Sequence, residues 1–153
     1  MTDDTLYVAK VVKSTAVDGV GLRNSLYVSG CSLRCPGCHN EAFWELSSGR
    51  RLTLEEVYAQ LCDDDFGISI LGGEPIMQHE AVTRLCRMIK ERTGKNIWLW
   101  SGFTLEHIST NWPDVLRYID VLVDGPYIEA EREPGLQWRG SRNQRVIDLR
   151  HSR

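Results

Sequence analysis

A chain of 153 residues, 42% hydrophobic and 25% charged, has the composition of one ordinary globular domain with enough apolar mass for a core, and a second domain is not expected. The net charge of -3 excludes a bulk electrostatic attraction to nucleic acid or to an anionic membrane, which needs clustered Lys and Arg. No apolar run approaches the roughly 18 residues that span a bilayer, and the first thirty residues lack the basic, apolar and small-residue order of a secretory signal, so a cytoplasmic location is expected.

In chain order, LYVAKVV at 6–12 reads as an entry strand, the Gly-rich VDGVGLR at 17–23 as a loop, and SLYVSG at 25–30 as a second strand. A cysteine cluster, CSLRCPGCHN at 31–40, occupies the loop that follows. The spacing then predicts a helix over 53–64, with Thr53 as N-cap, Glu56 completing a capping box, and Leu54, Val57 and Leu61 on one face. GISIL at 67–71 is a short buried strand and GGEP at 72–75 a turn. A second helix begins at His79, carries Val82, Leu85, Cys86 and Ile89 at helical spacing, and stops at Gly94.

NIWLW at 96–100 is a further strand, SGFTLEHIST a loop and short helix, and YIDVLVDG at 118–125 one more strand. From about 126 the chain is polar and irregular and ends in a basic tail, with Trp138 and the VIDL run expected to dock on the body. Alternating helices and nearly continuous apolar strands argue for an α/β fold on a mostly parallel sheet. Ligand loops in such sheets lie at the carboxyl ends of strands. The cysteine loop, GGEP, SGF and DGPY should therefore line one rim.

Five cysteines are an odd number, and three of them are clustered, which in a reducing compartment favours metal ligands or redox catalysts over disulfides. Structural zinc normally uses two separated ligand pairs, and no second pair is visible, although Cys62 or Cys86 could be recruited. Both also read as small apolar residues of a core. CPGCH matches a c-type haem attachment, and CPGC a thioredoxin-like dithiol, but each leaves Cys31 without a role. An iron–sulfur cluster tolerates the close spacing, and three thiolates would leave one iron of a cubane open.

The spacing C-x3-C-x2-C is the signature of the radical S-adenosylmethionine enzymes, and the resemblance extends beyond it. DGVGLRNSLYVSGCSLRCPGCHNEAFW resembles the leader of the glycyl-radical activating enzymes, in which D-G-x-G-x-R precedes a strand ending in G-C. LGGEP at 71–75 resembles the Gly-Gly-Glu motif. WLWSG, VLVDGPY and QWRGSRNQRV are similar to the small activators of anaerobic ribonucleotide reductases. These segments extend from about 17 to 148.

The resemblance implies that Cys31, Cys35 and Cys38 hold a [4Fe-4S] cluster whose open iron chelates the amino and carboxylate groups of S-adenosylmethionine. Gly37 and His39 would face the adenine by backbone and ring, and Asn40 would bond the cofactor or shape the loop. Gly72 and Gly73 would let backbone approach the methionine ammonium, Glu74 would add negative charge beside it, and Ser101 would make a further contact. Asp124 and Tyr127 read either as additional contacts or as a plain turn at DGPY. The cofactor would carry the radical, so no side chain is assigned a catalytic acid or base role.

The implied architecture is a radical S-adenosylmethionine (β/α) barrel forming a single domain over 1–153. A full eight-fold barrel runs to about 250 residues, so a partial, open barrel is expected here. The implied partners are the glycine-bearing large subunit of anaerobic ribonucleoside-triphosphate reductase and a donor such as reduced flavodoxin, with no nucleic acid and no membrane. The alternatives are an activator of another glycyl-radical enzyme such as pyruvate formate-lyase, a small-molecule radical enzyme such as a deazaguanine synthase, or a non-catalytic zinc or iron–sulfur module.

Overall fold

The computed structural model describes residues 4–30 and 49–152. Within them lie strands β1 (Thr5–Thr15), β2 (Arg23–Val28) and β3 (Arg50–Thr53), helix α1 (Leu54–Leu61), β4 (Gly67–Gly72), helix α2 (His79–Arg92), β5 (Ile97–Trp100), helix α3 (Leu105–Asn111), β6 (Val121–Asp124) and β7 (Arg145–Asp148). The strands form a mixed sheet in the order β3-β1-β2-β4-β5-β6-β7. Its centre, β2-β4-β5-β6, is parallel. β1, β3 and β7 add on antiparallel at the two sides, and the described strands leave the sheet unclosed.

The register separates two faces. Leu26, Ile70, Leu99 and Leu122 stand side by side on one, together with Ile68 and Ile97, and all three helices cover it. The buried stripes are Leu54, Val57 and Leu61 on α1, Val82, Leu85, Cys86 and Ile89 on α2, and Ile108 on α3. Ser25, Ser69, Trp98 and Val121 stand side by side on the opposite face, where Trp138 packs edge-on against Trp98 at 5.0 Å. The Trp100 indole N–H donates to the Trp138 carbonyl at 2.6 Å.

Local chemistry explains the boundaries. Thr53 and Glu56 form the expected capping box, each side chain bonding the other's backbone N–H at 3.1 and 2.9 Å. α1 stops at Leu61 rather than running to 64, because the Asp64 carboxylate accepts the Phe66 N–H and the Asn24 amide, turning the chain into β4. Gly94, at φ +71°, closes α2 with bonds to the Ile89 and Lys90 carbonyls. β6 begins at Val121 rather than 118, because the Asp120 carboxylate takes the Ile97 N–H and pairs with Lys90.

Two strands lie where none was expected. RRLT at 50–53 pairs with the start of β1, and RVID at 145–148, in the stretch read as irregular, pairs with β6 along its whole length.

β4 ends against β2 at Gly72, which has φ +117° and lies opposite Val28. A Cβ there would sit 2.5 Å from both the amide nitrogen and the carbonyl oxygen of Val28. Neither the conformation nor the space admits a side chain. Gly72→Ala should cost about 3 kcal/mol or more, the upper part of the range for single substitutions. Gly94→Ala, with a positive φ but nothing within 4 Å, should cost only about 1 kcal/mol. Urea unfolding of both variants measures this, and equal costs would remove the steric assignment.

Candidate functional site

The carboxyl ends of the parallel strands are laced together by hydrogen bonds. The N–H groups of Gly73 and Glu74, just past β4, donate to the carbonyls of Val28 and Gly30 at the end of β2, at 2.8 and 2.7 Å. The Ser101 N–H, just past β5, reaches Val123 of β6 at 2.9 Å, and the Gly125 N–H, past β6, reaches Phe103 at 3.3 Å. The turns after β4, β5 and β6 thus gather with the end of β2 along one rim, as expected for GGEP, SGF and DGPY; the cysteine loop lies outside the described residues. Gly49 returns to the same place, packed so closely on Ser29 that a Cβ would fall 1.8 Å from its hydroxyl.

Glu74 is the buried acid of this rim, 1% exposed. One carboxylate oxygen accepts the Ile76 N–H at 3.0 Å and the Ser101 hydroxyl at 2.9 Å; the other accepts the Gly102 N–H at 2.6 Å. Ser101 in turn accepts the Phe103 N–H at 3.0 Å. Glu74 and Ser101 thus fasten the loop after β4 to the loop after β5. Burial pushes the Glu74 carboxyl up to about 7, opposed by the three donors, which favour the anion.

Gly72 is committed to the sheet, as described, and Gly73 to Val28. Asp124 is buried and accepts the Leu105 N–H at 2.7 Å and a two-toothed grip from Arg145. Its neighbours raise the Arg145 guanidinium above its ordinary value, Asp124 first and Glu106 second. Tyr127 packs against Gly140, whose Cβ would lie 3.0 Å from the ring. Cys31, Cys35, Gly37, Cys38, His39 and Asn40 lie outside the described residues.

The D-G-x-G-x-R segment serves the face opposite the described α-helices. The Asp18 carboxylate accepts the Ser25 and Tyr27 hydroxyls at 2.7 and 2.9 Å. Arg23, buried over Trp98, donates to the Ser69 hydroxyl and to the carbonyls of Val20, Ile68 and Asn96. Burial lowers its guanidinium to about 10, with Asp120 at longer range opposing. Sequence reasoning missed Gln78, whose carboxamide bonds Tyr7 and Ser29. Its only sequence signal is its place four residues after Glu74, at the entry to α2.

A metal cluster fits at the carboxyl end of β2 on two grounds. The donor set that starts one residue after Gly30 is three thiols, a soft set suited to iron–sulfur or zinc and unsuited to hard cations. The Ser29 hydroxyl beside it is buried and has no hydrogen-bond partner among the described residues. Cys62 and Cys86 stand apart at the helical face. Cys86 is buried in the core, and desolvation holds its thiol up at about 12, so it behaves as an apolar residue.

Glu74 makes stability depend on pH in an unusual direction for a carboxylate. The unfolded carboxyl ionises from its ordinary 4.5 upward while the folded one keeps its proton to about 7. The unfolded state therefore binds fewer protons in that window, and the Glu74 contribution falls as pH rises through it, by roughly 3 kcal/mol. Urea midpoints measured at about pH 5 and about pH 8 should fall across the interval, and Glu74→Gln should remove that part of the fall. A Glu74→Gln protein with the parent's full pH dependence would refute the assignment.

A family model described as a 4Fe-4S single cluster domain matches residues 17–147. Among curated relatives, the anaerobic ribonucleoside-triphosphate reductase-activating protein of Vibrio cholerae is 44% identical over 137 residues, 84% of this chain and 88% of that protein. The protein of the same name from Escherichia coli K12 is 38% identical over 143 residues, covering 88% and 93%. That of enterobacteria phage T4 is 35% identical over 137 residues, covering 85% and 86%. Matches at this identity over nearly the full length of both partners place the chain: it belongs to the family of anaerobic ribonucleoside-triphosphate reductase-activating proteins, built on the 4Fe-4S single cluster domain.

Proposed function

We propose that this protein is a radical S-adenosylmethionine activating enzyme that installs a glycyl radical on anaerobic ribonucleoside-triphosphate reductase. The observation that carries the reading is the C-x3-C-x2-C set beginning one residue beyond Gly30, where the bonds of the rim converge. Family membership and the 4Fe-4S domain support it. A reduced cluster held by Cys31, Cys35 and Cys38 would supply the one electron for reductive cleavage of S-adenosylmethionine to methionine, with a hydrogen atom of a glycine Cα on the reductase ending in 5′-deoxyadenosine.

In this reading Cys31, Cys35 and Cys38 are the ligands, bound as thiolates. The turn at Gly72, Gly73 and Glu74, with Ser101, shapes the wall against which the methionine end of S-adenosylmethionine rests. Above about pH 7, where the Glu74 carboxyl is ionised, three donors hold it, and its effect on a nearby ammonium is that of an oriented charge. Gly37, His39 and Asn40 lie next to Cys38 in sequence and would border the adenine. The electron comes from reduced flavodoxin or a similar cytoplasmic donor. In this reading the unclosed sheet of the described strands is a partial, open barrel, and a macromolecule would present its glycine at the side left open.

The test is anaerobic incubation of the reconstituted, reduced protein with S-adenosylmethionine and the reductase. A glycyl doublet in the electron paramagnetic resonance spectrum is expected. A purified protein holding one zinc and no iron would overturn the reading, and a doublet on pyruvate formate-lyase alone would redirect it. Cys31→Ala, Cys35→Ala and Cys38→Ala should each abolish activity and lower iron content, whereas Cys62→Ala and Cys86→Ala should load iron as the parent does. Full iron in a Cys35→Ala protein would refute that ligand.

A further inference from the structure

Three successive carbonyls lead up to Cys31, and each accepts a hydrogen bond from the stretch between Gly73 and Gln78. Val28 O receives the Gly73 N–H at 2.8 Å, Ser29 O the Gln78 Nε2 at 3.1 Å, and Gly30 O the Glu74 N–H at 2.7 Å. Two of these donors are backbone. The third, Gln78, is the one that a side-chain substitution can remove.

The same carboxamide exchanges two bonds with Tyr7. The Tyr7 N–H donates to Oε1 at 2.9 Å, and Nε2 donates to the Tyr7 carbonyl at 3.0 Å. Such reciprocal exchange is what a facing residue makes in an antiparallel ladder. The last β1–β2 pair is Val8 with Val28; beyond it the Ser29 N–H still donates to Tyr7 O at 3.2 Å, and the carboxamide bridges the Tyr7 N–H and the Ser29 carbonyl, the other two groups of that facing pair. Because the Tyr7 N–H can only donate, the carbonyl end of the amide must face it, and Nε2 is left to hold Tyr7 O and Ser29 O.

Gln78 occupies the N-cap position of α2, where a polar side chain ordinarily bonds a helix N–H, yet it makes no such bond. Its amide is diverted from the helix to the strand end. Met77, its neighbour in the short 3-10 helix Pro75–Gln78, is 49% exposed and serves as an internal control.

We infer that Gln78 is a positioning residue for the cysteine segment: its side-chain amide bridges the Tyr7 N–H and the Ser29 carbonyl and fixes the direction in which the chain leaves β2 toward Cys31. This rests on the cluster reading above. Gln78 acts through Ser29. Substitutions of groups that orient metal ligands typically cost tenfold or more in metal retention, and the same order is expected here.

The experiment compares Gln78→Leu, which removes all three bonds, with Gln78→Glu, which keeps the acceptor for Tyr7 N–H but sets a carboxylate against two carbonyl oxygens. Met77→Ala is the control. Circular dichroism and thermal unfolding report the fold; iron content after anaerobic reconstitution, the rate of iron loss to a chelator, and the electron paramagnetic resonance signal of the reduced protein with and without S-adenosylmethionine report the cluster. Both Gln78 variants should fold, lose iron roughly tenfold faster than the parent, and show an altered signal, while Met77→Ala matches the parent. Parental iron retention and spectrum in Gln78→Glu would overturn the inference. So would global unfolding of Gln78→Glu, which would make the residue a determinant of the whole fold. If the parent itself binds iron but raises no glycyl radical, the proposed activity fails and the positioning role stands.

Discussion

The contact on which the rim depends is the close approach of Gly72 to Val28. A backbone at φ +117° with no Cβ lets the end of β4 lie directly against the end of β2. Only at that separation can the next two amides, of Gly73 and Glu74, reach the carbonyls of Val28 and Gly30. Once they do, the Glu74 side chain is delivered under the loop after β5, where Ser101 and Gly102 close on it. One missing methyl group therefore connects three strand ends, and a side chain of any size at 72 would separate them.

Such an arrangement assigns the glycines a different primary duty from the one suggested by their motif. The sequence reading gave Gly72 and Gly73 the task of admitting backbone to a ligand ammonium. Here Gly72 admits β2, and the Gly73 amide is spent on Val28. Glu74 is similar: its three donors organise it, and an organised carboxylate presents a steadier charge than a solvated one.

Much of the fold was legible because its signals are local. The Thr53–Glu56 box, the Val82, Leu85, Cys86 and Ile89 stripe, the Gly94 stop and the apolar runs at 67–71 and 96–100 each carry their physics within a few residues. What was not legible is tertiary. RRLT and RVID are short, charged and largely exposed, as edge strands commonly are, and nothing but the presence of β1 and β6 makes them strands. Gln78 was invisible for the same reason: its partners, Tyr7 and Ser29, are 71 and 49 residues away. The early end of α1 turned on Asp64, whose side chain reaches both a local amide and Asn24, 40 residues away.

The two faces of the sheet show why the D-G-x-G-x-R segment needs its acid and its base even though they do not pair with one another. With the three described α-helices on one side, the described residues on the other face are loops, and loops bring polar backbone that has to be satisfied. Arg23 does this at the amino ends of the strands by holding three carbonyls and the Ser69 hydroxyl, while Asp18 gathers the hydroxyls of Ser25 and Tyr27. Gly19 sits between them so tightly that a Cβ would lie 3.0 Å from Arg23 and 3.1 Å from Trp98. Trp98, Trp100 and Trp138 cover the side toward β6. A face built in this way is shallow, aromatic and polar at once. Among the described residues it carries no second layer of α-helices, and the described strands form an open sheet.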